Sequence, residues 1–264
     1  MVHRVRDQAL LKVDRAAERV VELNTLLNET RPFRYFVKTD LDTRKRSTFA
    51  KENHAAIDRA ALIIGDAAHN LRSALDYAYG EIVAPFTNSP REQRAIQFPF
   101  SQTKDRLEEA VKNRLAHKVG QRFFDTIMAL LPHHEEGGNR LLAMVDEIDI
   151  PDKHTGLAPV ADYRSISFDM LRKQIPDILP GIEGTNNIFI GVIVDLEWAL
   201  VGPHIDLGEA VPPYTRVFQK QVDMPIGIVI KVRGDGFGVP AVPTLHKLVD
   251  TVKETIKVMR SAAP

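Results

Sequence analysis

Residues 60 to 84 read AALIIGDAAHNLRSALDYAYGEIVA, and this stretch decides the fold. Wound as a helix at about 100° per residue, one side carries Ile63, Ile64, Ala67, Ala68, Leu71, Ala74, Leu75, Ala78 and Ile82. The other side carries Asp66, His69, Asn70, Arg72, Ser73 and Asp76. Between residues 60 and 80 there is no Lys and no Glu. A solvated helix face favours long charged residues that are good helix formers. Short Asp, Asn and Ser are mediocre in helix interiors. Such a polar face is therefore expected to meet other protein or a ligand. Gly65 within it costs about 1 kcal/mol relative to Ala, which implies that something packs close.

Working outward from this helix, residues 3–28 form an amphipathic helix with Leu10, Val13, Ala17, Val20 and Leu27 at helical spacing, and Pro32 ends it. Residues 33–50 read as a hairpin turning near Asp40–Asp42. The long helix runs from Glu52 to Val83 and stops before Pro85. Pro90 and Phe98–Phe100 form a connection. Ser101 or Thr103 caps a helix over 104–115, and another fits 119–131. After a loop at 132–138, Asn139 caps a helix through Asp149, limited by Pro151. Beyond residue 160, β-branched runs between Pro and Gly mark strands at 165–170, 187–194 and 226–232, with more near Trp198 and over 214–222. A helix over 244–260 closes the chain with Leu245, Leu248, Val249, Val252, Ile256 and Met259 on one stripe. The expected class is α+β: an N-terminal helical bundle with a small hairpin, then a mostly antiparallel β part and a C-terminal helix. The division falls at 1–160 and 161–264, with one continuous core as the other arrangement.

Composition narrows the function. In 264 residues, 35 basic and 35 acidic side chains cancel, so no global field draws the chain to nucleic acid or anionic membrane. There is no cysteine, which excludes disulfides, thiolate chemistry and Cys-type metal sites. No apolar run reaches the roughly 18 residues of a membrane span, and the N-terminus lacks a signal-type apolar region. A cytoplasmic location is the expectation.

Within the long helix, His69 follows Asp66 by three residues and precedes Asp76 by seven, all within about a quarter-turn of the circumference. A carboxylate beside an imidazole fixes its tautomer, as general acid–base chemistry and metal ligation both require. A second cluster, Asp146-Glu147-Ile148-Asp149-Ile150-Pro151-Asp152-Lys153-His154, ends a helix, where Lys153 and His154 complement the dipole. Asp152 and His154 meeting the His69 face would give two imidazoles to share acid and base roles, or ligands for a divalent metal. The structural alternative is a polar network in which Asp, Arg and His satisfy one another. Three other stretches are weaker. His133-His134-Glu135-Glu136 reads as a solvated loop more readily than a metal site, Gly234–Gly238 opens no helix, and Arg44-Lys45-Arg46 suits an edge-strand guard.

The pieces G-D-x-x-H-N-L-R-S-x-L-D (Gly65–Asp76), F-P-F (Phe98–Phe100) and L-x-x-x-x-x-I-D-I-x-D-K-H (Leu142–His154) resemble a widespread family of bacterial proteins of unknown function. Members of that family often carry Arg after the D-K-H triplet, where this chain has Thr155. The resemblance spans about residues 50–160 and implies a site location without a chemistry. HEPN-type ribonucleases place an Arg four to six residues before a His on one helix, and none of the nine histidines here has that spacing.

These readings assign His69 as acid or base, Asp76 as its orienter, Arg72 as anion binder and His154 as a second proton-transfer group. Asn70, Ser73 and Lys153 are assigned to substrate binding. The expected activity is hydrolase- or nuclease-like on a phosphate-containing ligand, with no metal assigned and the cofactor unknown. The alternative is a non-enzymatic interaction or structural protein, with the apolar stripes of the first and last helices supporting a homo-oligomer.

Overall fold

Asp7 starts the first helix: its Oδ1 accepts from the Leu10 N–H at 3.1 Å. The computed structural model describes residues 7–43, 45–154, 160–162, 165–167, 188–190, 196–200, 209–211, 214–222, 228–230, 232 and 239–264. Side chains of 45–52 and 150–154 fall outside what is described. Helix α1 (Gln8–Thr30) ends at Arg31, whose φ of 45° makes the left-handed stop before Pro32. Strands β1 (Phe33–Asp40) and β2 (Lys45–Glu52) form the expected hairpin, pairing from Phe33↔Glu52 to Asp40↔Lys45. Asp40 closes the turn by accepting from the Asp42 and Thr43 amides at 2.9 and 3.0 Å. The Thr43 amide is the main reason its carboxyl stays below the ordinary 3.8.

Helix α2 (His54–Val83) is capped by Asn53, which accepts from the Ala56 N–H at 3.3 Å. All nine residues of its predicted apolar side are buried. α1 runs along one flank of α2, and α7 (Arg140–His154) and α8 (Ala241–Ala262) pack on others. The stripes of α1 and α8 face this core: Val13, Val20 and Leu27, and Leu245 through Met259, are buried. These stripes therefore pack within the chain's own core. Leu10 alone of the α1 stripe is left 40% exposed.

Around this core lie short helices α3 (Pro90–Ala95), α4 (Leu107–Asn113), α5 (Ala116–Val119) and α6 (Gln121–Ala129). Three boundaries differ from the expectation. Ser89, not Ser101 or Thr103, caps a helix, by accepting from the Glu92 N–H at 3.3 Å. The Ser101 hydroxyl instead donates to the Thr103 carbonyl at 2.8 Å, so α4 begins later. The expected 119–131 helix is shortened to α6, and Gly120, with φ of 140°, separates it from α5, a short helix the sequence reading did not foresee. Pro151 does not stop α7, which continues to His154. A proline that late costs only the one N–H it cannot donate to the Glu147 carbonyl, plus local strain at that turn.

The five-stranded antiparallel sheet has the order β6 (Leu196–Leu200), β2, β1, β8 (Tyr214–Val222), β7 (Glu209–Val211). The early hairpin thus sits in the middle, and late strands complete both its edges. Strands β3 (Val160–Asp162), β9 (Ile228–Ile230) and β10 (Val239–Pro240) form a second sheet, and β4 (Ser165–Ser167) pairs with β5 (Ile188–Ile190). The fold is α+β. Among the described residues no helix is long and apolar enough to cross a membrane.

One ion-pair cluster ties three helix ends together. The Arg260 guanidinium donates to both Asp7 oxygens at 2.6 and 2.9 Å and to Glu81 at 2.9 Å. The hydrogen bond from Arg260 is the main reason the Asp7 carboxyl stays below its ordinary 3.8. A depressed carboxylate contributes stability above its unfolded pKa and loses it as pH falls through the lower folded value. Asp7→Ala is expected to cost about 1–2 kcal/mol at pH 7, chiefly through the lost cap. Urea unfolding at pH 7 and near pH 3 checks this, since the gap between the two proteins should narrow as the native carboxyl protonates. An equal gap at both pH values would contradict it.

Candidate functional site

His69 and Arg72 lie three residues apart on α2, so they project on one face toward α7. There Asp146 and Asp149, also three apart, project back. His69 Nδ1 lies 2.9 Å from Asp149 Oδ1. Arg72 Nη1 contacts the Asp146 carboxylate, and its Nε stands 3.7 Å from Asp149 Oδ2. On its far side the guanidinium stacks on Phe100, with Cζ 4.9 Å from the ring centroid. Asp146 in turn reaches His134, whose Nε2 is 3.0 Å from Oδ2. His134 Nδ1 faces Glu147 Oε1 at 3.6 Å, too long for a hydrogen bond, and Arg140 donates to the other Glu147 oxygen at 2.8 Å. Burial pushes the Glu147 carboxyl up, but His134 and Arg140 together hold it below the ordinary 4.5.

The result is a row in which basic and acidic side chains alternate from His69 to Arg140, and its two ends differ in access. Asp149 and Asp146 have side chains only 1% and 4% exposed, and His134 4%. The His69 ring is 47% exposed. With Nδ1 against Asp149, Nε2 is the ring nitrogen left for solvent or a ligand.

The loop before α7 is built to deliver His134. Asn139 caps α7 as the sequence predicts, accepting from the Leu142 N–H at 3.2 Å. Leu131 accepts from the Asn139 N–H at 2.8 Å, which closes the loop base. Ser101 bridges to His133, with its amide donating to the Pro132 carbonyl at 3.0 Å and its carbonyl accepting from the His134 N–H at 3.2 Å. A Cβ on Gly138 would fall 2.2 Å from the His133 carbonyl oxygen and 2.8 Å from its Nδ1, so only glycine fits there. His133 is 1% exposed, and both its ring nitrogens lack a hydrogen-bond partner among the described residues. The histidines of this loop turn inward, unlike the expected solvated loop, while Glu135, Glu136 and Gly137 stay exposed and Glu135 accepts from the Lys104 amide at 2.8 Å.

Several sequence assignments move. Asp76 does not orient His69. Its Oδ1 accepts from the Phe98 N–H at 2.8 Å and so positions the Phe98–Phe100 segment that stacks on Arg72. The carboxylate beside the His69 ring is that of Asp149, which the sequence shows only as one of four acids near a helix end. Arg72, assigned to anion binding, has two carboxylates of α7 around it. Asn70 turns to the other flank of α2, where its Oδ1 accepts from Lys12 Nζ at 3.1 Å. Ser73 is half-buried one turn after His69. The side chains of Asp152, Lys153 and His154 lie outside the described residues, although the α7 backbone carries them. Asp66 is exposed, and its carbonyl accepts from Asn70 Nδ2 at 2.7 Å.

Among the described residues no three His, Asp or Glu side chains converge as a metal set. No protein-family model, no curated protein and no solved structure matches the chain.

Proposed function

We propose that the chain is a hydrolase acting on a phosphate-containing substrate, with His69 as the base that activates water and Asp149 as its orienter. The observation that carries this reading is a half-exposed imidazole backed at 2.9 Å by a carboxylate that is 1% exposed. Nε2 takes a proton from water as the water oxygen attacks phosphorus. The P–O bond to the leaving oxygen breaks, and the imidazolium returns that proton to the leaving group. The sequence offers His154 as a separate acid for this second step. A cytoplasmic setting belongs to the same reading.

A second reading has its own support. Arg72 between two buried carboxylates, with His134 sealed behind Asp146, is what a lock between α2 and α7 needs in a non-enzymatic interaction protein. The test is a panel of chromogenic phosphomonoesters and phosphodiesters with the native chain and His69→Gln. The native chain is expected to turn over at least one, and His69→Gln to slow it by about 10²–10⁴-fold. No turnover of any ester, or equal turnover by both proteins, would falsify the hydrolase reading and leave the lock.

A further inference from the structure

Arg72 is occupied, so an anionic substrate needs its cations from elsewhere. Between α1 and α2 lies a cleft of about 350 Å³ lined by Gln8, Leu11, Lys12, Arg15, Asn70 and Tyr77. Among the described residues its lining holds two cations and no acid. Its apolar wall is Leu11 and Tyr77, left 48% and 44% exposed, although most of the other large apolar side chains of these helices are buried.

We propose that this cleft recognises an organic phosphate, holding the anion on Lys12 and Arg15 and an apolar body on Leu11 and Tyr77; calling that ligand a substrate rests on the hydrolase reading. Lys12 is held in place for the task. Its ammonium donates to Asn70 Oδ1 at 3.1 Å, and Asn70 is itself fixed by donating to the Asp66 carbonyl at 2.7 Å. That bond uses one of the three ammonium donors and leaves two for a ligand. Arg15 pairs with Glu18 at 2.7 Å, but with side chains 52% and 64% exposed. Such a surface pair is worth little and exchanges readily for a phosphate.

On the hydrolase reading the cleft is a recognition handle, and one of its lining residues, Asn70, directly follows His69 in the chain.

The test is calorimetric titration of the full chain with phenyl phosphate, inorganic phosphate and phenol, using the native protein, Lys12→Met, Tyr77→Ser and His69→Gln. Thermal melts confirm that each variant is folded. Phenyl phosphate is expected to bind more tightly than either fragment. Lys12→Met should weaken it by about ten-fold or more, the loss of a charge-assisted contact. Tyr77→Ser should bring its affinity down toward that of inorganic phosphate. His69→Gln should bind it as the native chain does. No phenyl phosphate binding, equal affinity for inorganic phosphate, or an unchanged Lys12→Met affinity overturns the cleft. Binding that follows this pattern in a chain that hydrolyses nothing upholds the cleft as a ligand site and removes only the hydrolase reading.

Discussion

Arg72→Met is expected to destabilise the protein by about 3–5 kcal/mol, the cost of leaving a buried charge without its partner. The asymmetry of burial sets this size. Asp146 and Asp149 have side chains 4% and 1% exposed, and the guanidinium between them is 19% exposed. Methionine retains much of the packing on Phe100 but supplies no charge. Two buried carboxylates, in contact with His69 and His134, are then left without the guanidinium between them. Arg72→Lys should fall between, because a point charge cannot reach both acids with the directional donors of a guanidinium. The triple variant Arg72→Met/Asp146→Leu/Asp149→Leu should recover much of the loss, since replacing a whole buried ionic set by apolar side chains is often neutral or better. Urea unfolding of the three proteins gives the comparison. A single-variant loss below about 1 kcal/mol would mean that the acids are solvated and that the pairing is of the weak surface kind.

The legible and illegible parts of this fold divide by distance along the chain. α2 could be read almost to the residue, because a period of about 3.6 is a local signal and all of its apolar side is buried. The hairpin and the Asn139 cap were legible for the same reason: turn and capping chemistry acts within three or four residues. The Asp149 partner of His69 is 80 residues away, and Asp66 or Asp76, one or two turns along the same helix, looked equally suited. What excluded Asp76 is the Phe98 amide, which claims one of its oxygens and which no pattern within α2 reveals. The central sheet was hidden similarly. β1 carries strand-forming residues, but nothing in Phe33–Asp40 states that β8, about 180 residues on, completes its other edge. The sequence singled out both of the segments that meet, around 65–76 on α2 and 142–154 on α7, and left the pairing between them open. Pairing depends on which faces of two helices meet, and that is set by the rest of the core.

Asp149→Asn should separate the two functional readings more sharply than any change at His69. On the hydrolase reading the carboxylate holds Nδ1–H and thereby leaves Nε2 as the base. An amide at that position can turn its NH₂ toward Nδ1, which moves the ring proton to Nε2 and removes the lone pair that water needs. Turnover should drop by about 10²–10⁴-fold in kcat. KM should hold, because the residues lining the cleft lie on α1 and α2 whereas Asp149 lies on α7. The same substitution weakens the attraction to Arg72 and should lower stability, whereas His69→Gln, at a ring 47% exposed, should leave stability nearly unchanged while losing comparable turnover. A lock without catalysis makes the opposite demand: stability falls with Asp149→Asn, and neither variant changes any rate. The two variants measured together, by melting temperature and by kcat against KM, therefore place Asp149. It orients a base when kcat falls alone with His69→Gln and together with stability in Asp149→Asn, and it only pins α7 to α2 when stability is all that moves.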